Sequence, residues 1–345
     1  MKKRILSIII VLTVSVALML SIQSCKPSAP PVTELTYSVF FPPTHGQAKA
    51  AESWAKEIEK RSQGKIKIKV LAGGTLTPAD QCYDGVAKGI SDIGMSCFAY
   101  TRGRFPLTEV LDLPLGYPNG RVATRVANDF YKAFKPKELD DVKVLYIHAH
   151  GPGLLHTVKP VKSLADLKGM KIRSTGLSAK VISALGGTPV AMPQGETYEA
   201  IQRGVVGGTI GPMEVLKGWK QGEVIKNTTE CDSVGYTTAM FVVMNPKKWS
   251  ALPPDIQKIF EDVSSEWIDV HGKAWDDLDL EGRKFSLSLG NKIIPLTKEQ
   301  KNRWRAAVRP LVNDYVKAMG EKGLPGKKAV EETEKLIKKY AEMYK

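Results

Sequence analysis

Cysteine is too scarce in this sequence to build a fold on. The 345 residues contain four, at positions 25, 82, 97 and 231. The three beyond Cys25 allow at most one disulfide, which excludes a small scaffold stapled by cystines. Histidine is nearly as sparse, at five residues. There is no His-Glu-x-x-His, no glycine-rich phosphate loop and no nucleophile elbow, so the usual metalloprotease, nucleotide-binding and hydrolase readings have no anchor. The longest apolar run, Ile5 to Leu20, falls short of the ~20 residues that span a bilayer. Basic stretches interleaved with aromatics are missing too, which argues against nucleic acid as a partner. The lysines between Lys327 and Lys345 read as the solvated face of a helix.

What is present begins at the N-terminus. Lys2, Lys3 and Arg4 precede the apolar run, and Ile22-Gln-Ser-Cys25 follows it. A basic start, a short apolar segment and small residues before a cut site form an export signal. Cys25 resembles the acylated cysteine of a lipoprotein box; plain secretion and an uncleaved anchor are the alternatives. The expectation is a signal peptide over 1–24, a lipid on Cys25 and a flexible tether over 25–32. Three of the +14 formal charges lie in that signal, leaving +11, a surplus that attracts anionic headgroups and anionic solutes. About 320 residues remain, 43% of the whole sequence is apolar and six residues are Trp. That is enough for two packed domains or one large α/β unit.

Leu35-Thr-Tyr-Ser-Val39 alternates as a strand. Ala48, Ala51, Trp54, Ala55 and Ile58 recur at helical spacing, Gly64 ends the helix, and Ile66, Ile68 and Val70 alternate with lysines. Strand, helix, strand in about 35 residues is a βαβ unit. A weak echo follows: Lys88-Gly89 and Arg203-Gly204 each close a helix with a cation and a glycine before an apolar strand. Two such units point to two similar lobes, although any α/β protein caps helices in this way.

More specific is Ser163-Leu-Ala-Asp166-Leu-Lys168-Gly169-Met-Lys171-Ile-Arg173, with Glu196-Thr-Tyr198-Glu-Ala-Ile-Gln-Arg-Gly204-Val-Val-Gly207 after it. Ser62-Gln-Gly64, Val243-Met-Asn245 and Leu252-Pro-Pro254 fall in the same order. Over about residues 33–320 the chain is similar to the extracytoplasmic solute receptors of tripartite ATP-independent periplasmic (TRAP) transporters. The resemblance implies an α/β, two-lobed periplasmic-binding-protein-like fold. Its discontinuous lobes would be joined by crossing strands and a long spanning helix near 255–288. Lobe one is expected over 33–149 plus 238–268, and lobe two over 150–237 plus 269–345.

The family's ligand anchor is an Arg, which falls here on Arg173. Guanidinium suits that role because its rigid fork matches a carboxylate and stays charged when buried. The family's second Arg aligns with Gly153, and its Asn falls near Gly211. Polar groups near the first crossing are replaced by Phe40 and Phe41, and a further one by Cys97. Gln194, Thr209, Met213, Tyr236 and Phe241 complete the expected lining. Phe40 and Phe41 read equally well as core residues; they are weighed as ligand contacts because a turn after a first strand is where α/β folds place them. These replacements imply an apolar pocket for a monocarboxylate with an aromatic or branched body, with 2-oxo and 2-hydroxy acids among the candidates.

His148, His150 and His156 are the one metal-like cluster, without acid or thiol nearby in sequence. They are read as structural, with one of them lining the cleft as the alternative. Asp140-Asp141 and Asp276-Asp277 read as solvated pairs. The expected protein is therefore a periplasmic, lipid-anchored receptor without cofactor or metal. Its partners would be a small organic acid and integral membrane transporter subunits. A sensory receptor or an exported enzyme is the remaining reading.

Overall fold

A computed structural model describes residues 32–344. The expected signal peptide, Cys25 and the tether as far as residue 31 lie outside the described residues. Two sheets organise the rest. The first contains β1 (Thr33–Val39), β2 (Ile66–Leu71), β3 (Ile93–Cys97), β4 (Lys143–Ala149) and β10 (Ala239–Met244), in the order β2-β1-β3-β10-β4. The second contains β5 (Leu154–Thr157), β6 (Lys171–Ser174), β7 (Thr188–Ala191), β8 (Gly208–Gly211), β9 (Asn227–Glu230) and β11 (Lys292–Pro295), in the order β11-β9-β5-β8-β6-β7. Each sheet belongs to one lobe.

The βαβ unit read from the sequence forms the edge of the first sheet. Helix Gly46–Arg61 buries Ala48, Ala51, Trp54, Ala55 and Ile58, while β2 keeps its lysines outward at the sheet edge. The echo is real in geometry. Helices Cys82–Ala87 and Thr197–Gln202 both end at glycines of positive φ, Gly89 and Gly204, where a side chain would be strained. Each then feeds an interior strand, β3 in one sheet and β8 in the other.

The chain crosses between lobes from β4 to β5 and from β9 to β10. The two crossing segments are tied by Gly153 N–H donating to Tyr236 O at 3.0 Å. Helix Pro254–Ser288 runs 35 residues, about 52 Å at helical rise. Its Ile256, Phe260 and Val263 pack into lobe one. Further along, Phe285 lies against Gly222 of lobe two.

One boundary differs from expectation. The expected boundary places residues 310–343 in lobe two, yet their helices pack into lobe one. Tyr315, Met319, Ala329, Val330, Leu336, Ile337 and Tyr340 share a core with Val122, Val126 and Phe130 of helix Gly120–Phe134. The many lysines of Gly326–Met343 masked an apolar stripe on its other face.

Candidate functional site

The ends of β1, β3, β6 and β8 converge on a cavity between the sheets, the position open α/β sheets use for ligands. It is lined by Phe40 and Phe41 after β1, Cys97 at the end of β3 and Tyr100 just beyond it, Arg173 on β6 and Thr175 just after it, and Gly211 and Glu214 at and beyond β8. About 420 Å³ between the lobes lies outside all atoms. They meet across the cavity: Gln194 N–H donates to Tyr100 Oη at 3.1 Å, and His45 Nε2 lies 2.7 Å from Glu214 Oε2. A roomier void lined by Pro152, Arg305 and Arg309 lies away from these strand ends, with both arginines exposed.

Arg173 sits on β6 between β7 and β8 and is only 4% exposed. Its Nε donates to Met192 O at 3.1 Å, while Nη2 is buried without a partner. Leaving a charged donor buried and unmatched costs more than a neutral one, and among the described residues no carboxylate pairs with it. Its charge reaches several neighbours. Burial pushes the Cys97 thiol and the Tyr100 and Tyr236 hydroxyls well up, with Arg173 pulling each back. Burial also drives His150 down to about 4, opposed by the Gly151 carbonyl and reinforced by Arg173.

Much of the lining is aromatic. Phe40 and Phe41 have ring centroids 4.0 Å apart, and Phe40 stacks on Trp219 at 5.9 Å and meets Tyr100 edge-on at 5.7 Å. Phe41 stacks on His45 at 4.4 Å and meets Trp275 of the spanning helix at 5.8 Å. The same helix positions Glu214, whose N–H donates to Asp279 Oδ1 at 2.8 Å. Burial raises the Asp279 carboxyl to about 8, against the pull of that N–H.

Of the residues singled out in the sequence, Arg173, Phe40, Phe41, Cys97, Gln194 and Gly211 line this cavity. Gly153, Thr209, Met213, Tyr236 and Phe241 do not. Phe241 points to the other face of its sheet, where it packs on Tyr83 and Phe98 at 5.3 and 5.2 Å; its neighbour Met240 lines the cavity instead. Met213 belongs to a lobe-two core with Val215 and Ile225. Thr209 is buried in register between His156 and Arg173. Gly153 contributes no wall because Tyr236 occupies the space beside it: a Cβ there would stand 1.9 Å from Tyr236 Cε1.

The histidines separate. His156 Nε2 faces the Gly211 and Pro212 carbonyls at 3.1 and 3.2 Å, so it carries the proton, and Nδ1 accepts from Thr228 Oγ1 at 2.9 Å. It braces the segment leading to Glu214. His148 is buried beneath Trp275, whose Nε1 donates to its Nδ1 at 3.1 Å, and only His150 lines the cavity. Among the described residues no group of three or more His, Cys, Asp or Glu could hold a metal. The sequence reading missed Glu214, Trp219, Thr175, Ser178 and Thr238, all lining residues, so the cavity is more polar than its glycine replacements implied. His45 and Glu214 are 169 positions apart, and no local pattern announces their pairing.

A two-lobed α/β fold with a buried guanidinium and aromatic rings lining an interlobe cavity is the arrangement of a solute receptor. The sequence model of bacterial extracellular solute-binding proteins, family 7, matches residues 37–318, so the chain belongs to that family, the solute receptors of TRAP transporters. It is similar to a TRAP solute-binding protein of Rhodoferax ferrireducens T118 in complex with copurified benzoate. The TM-score is 0.86 and the identity 27%, over 91% of this chain and 100% of that one. A marine metagenome receptor specific for aromatic acid ligands, in complex with 3-hydroxybenzoate, gives 0.85 and 29%, over 90% and 99%. A monocarboxylate 2-oxoacid-binding periplasmic protein of Nostoc sp. PCC 7120 is 28% identical over 266 residues, 75% of this chain and 72% of that protein. These relatives are solute-binding proteins, and the family is periplasmic. Among the described residues no helix is long and apolar enough to cross a membrane.

Proposed function

We propose that this receptor captures a small monocarboxylate with an aromatic or branched apolar body and delivers it to the membrane subunits of its transporter. The observation that carries the reading is the buried guanidinium of Arg173, unpaired at Nη2 in a cavity that Phe40, Phe41 and Trp219 also line. A carboxylate satisfies the unmatched donor, and burying a ring contributes at about 25 cal/mol per Å² of apolar surface. Relatives in complex with benzoate and 3-hydroxybenzoate support the aromatic class, and the Nostoc relative supports 2-oxo acids. The protein binds and releases its ligand unchanged; incubation with a bound acid followed by mass spectrometry should recover that acid intact. Cys25 carries a lipid that holds the receptor at the membrane.

Calorimetric titration with benzoate, a branched 2-oxo acid, a C4 dicarboxylate and a sugar acid tests the ligand class. The aromatic or branched acid should bind most tightly. Tighter binding of the dicarboxylate or the sugar acid would refute it, since Gly153 and Gly211 offer neither a second cation nor a hydrogen-bonding side chain.

A further inference from the structure

Not every hydrogen-bonding group around the cavity is matched within the protein. Three lining side chains hold buried donors with no partner: Arg173 Nη2, Gln194 Nε2 and Trp219 Nε1. One lining side chain is a carboxylate. The Glu214 side chain is 3% exposed. His45 Nδ1 accepts from Gln47 N–H at 3.1 Å, so Nε2 carries the ring proton and donates it to Glu214 Oε2 at 2.7 Å. Among the described residues nothing donates to Glu214 Oε1. Glu214 and Trp219 flank one short turn, Val215–Gly218, and both lie against His45, the indole with ring centroids 5.8 Å away.

We propose that Glu214 is a specificity-determining residue, and that the preferred ligand bears a hydroxyl on its apolar body, remote from the carboxylate. This rests on the carboxylate reading above and deepens it. A hydroxyl both donates and accepts, so it gives its proton to Glu214 Oε1 and takes the N–H of Trp219. An unsubstituted ring leaves both groups desolvated and unmatched. An ammonium group meets the acid but cannot accept from the indole, and a methoxy group accepts but cannot donate. Sites built to bond a substrate hydroxyl reject the analogue lacking it far more strongly than apolar pockets reject a missing methylene.

The test is calorimetry on the full receptor with benzoate, 3- and 4-hydroxybenzoate and the matching methoxybenzoates. One hydroxyl position should improve affinity about 10-fold or more over benzoate, the span of a hydrogen bond to a charged group, and its methoxy counterpart should show no gain. In Glu214→Gln, His45 still claims the side-chain oxygen and the amide presents N–H to the cavity. The advantage of the hydroxyl acid over its methoxy counterpart should therefore vanish, read as a ratio within the variant, since an amide N–H bonds either oxygen. Equal binding of benzoate and both hydroxybenzoates to the wild type overturns this proposal and leaves the carboxylate reading standing. A preference for hydroxyl over methoxy that persists in Glu214→Gln overturns it equally. If no aromatic acid binds at all, the underlying reading falls and this one with it. The wild-type comparison of hydroxyl with methoxy requires no variant to fold.

Discussion

Gly153→Ala perturbs the close packing of Tyr236 against the first crossing between the lobes. The added Cβ would lie 1.9 Å from Tyr236 Cε1, 2.3 Å from Cζ and 2.6 Å from Oη. The ring has little room to retreat, since Tyr236 is 1% exposed and its carbonyl accepts from Gly153 N–H at 3.0 Å. Backbone and ring are pinned to each other. Overpacking in a filled core costs about 1–3 kcal/mol, and a rigid ring sets this case near the top of that range. At roughly 2–4 °C per kcal/mol for chains of 150–250 residues, the melting temperature should fall by several degrees. Tyr236→Ala alone should cost about 3–5 kcal/mol as a buried aromatic truncation. The clash vanishes in the double variant, so the two costs should fall short of additivity by about 1–3 kcal/mol in a cycle measured by urea unfolding. Wild-type stability in Gly153→Ala, or simple additivity in the cycle, would refute the claim that Tyr236 fills the vacant side-chain position.

Three further expectations follow from the same contacts. Asp279 is held protonated to about pH 8 in the folded state against about 3.9 when unfolded. The native state therefore keeps more protons between those values, and its stability should fall as pH rises through that window, by up to ~1.4 kcal/mol per unit; Asp279→Asn should flatten the slope between pH 6 and 9, and an unchanged slope would remove Asp279 from the account. Saturation at 100 times Kd should raise stability by about 2.7 kcal/mol, and small-angle scattering should show a more compact particle than the ligand-free protein; identical radii would argue against lobe closure. Cys25→Ala should shift the protein from the membrane fraction to the soluble one, and an unmodified, soluble wild type would end the lipid-anchor proposal.

What could be read from the sequence was whatever is local and periodic. The helix 46–61, the lysine-alternating β2 and the glycine-capped pair at Gly89 and Gly204 follow from spacing alone. Arg173 followed from a motif, because its neighbours on β6 fix its place. Residues chosen by chemical type fared differently. Phe241 and Met240 are adjacent, and on a strand one step reverses the face, so preferring the aromatic selected the core residue. The tail was hidden because a lysine-rich helix covers an apolar stripe, and its docking on helix 120–134 is a contact across two hundred residues. The His45–Glu214 pair and the ring of Tyr236 beside Gly153 are likewise products of topology, to which no window of sequence gives access.

The claim on which the account rests is that Arg173 takes the ligand's carboxylate, and calorimetry of Arg173→Ala and Arg173→Lys against the wild type's best aromatic acid tests it most directly. Removing one partner of a buried charge pair costs about 2–5 kcal/mol, roughly 30- to 5,000-fold in Kd. Lysine should recover only part of that, since a point charge lacks the two-pronged fork. Affinity unchanged in Arg173→Ala, with the variant folded, would contradict the account.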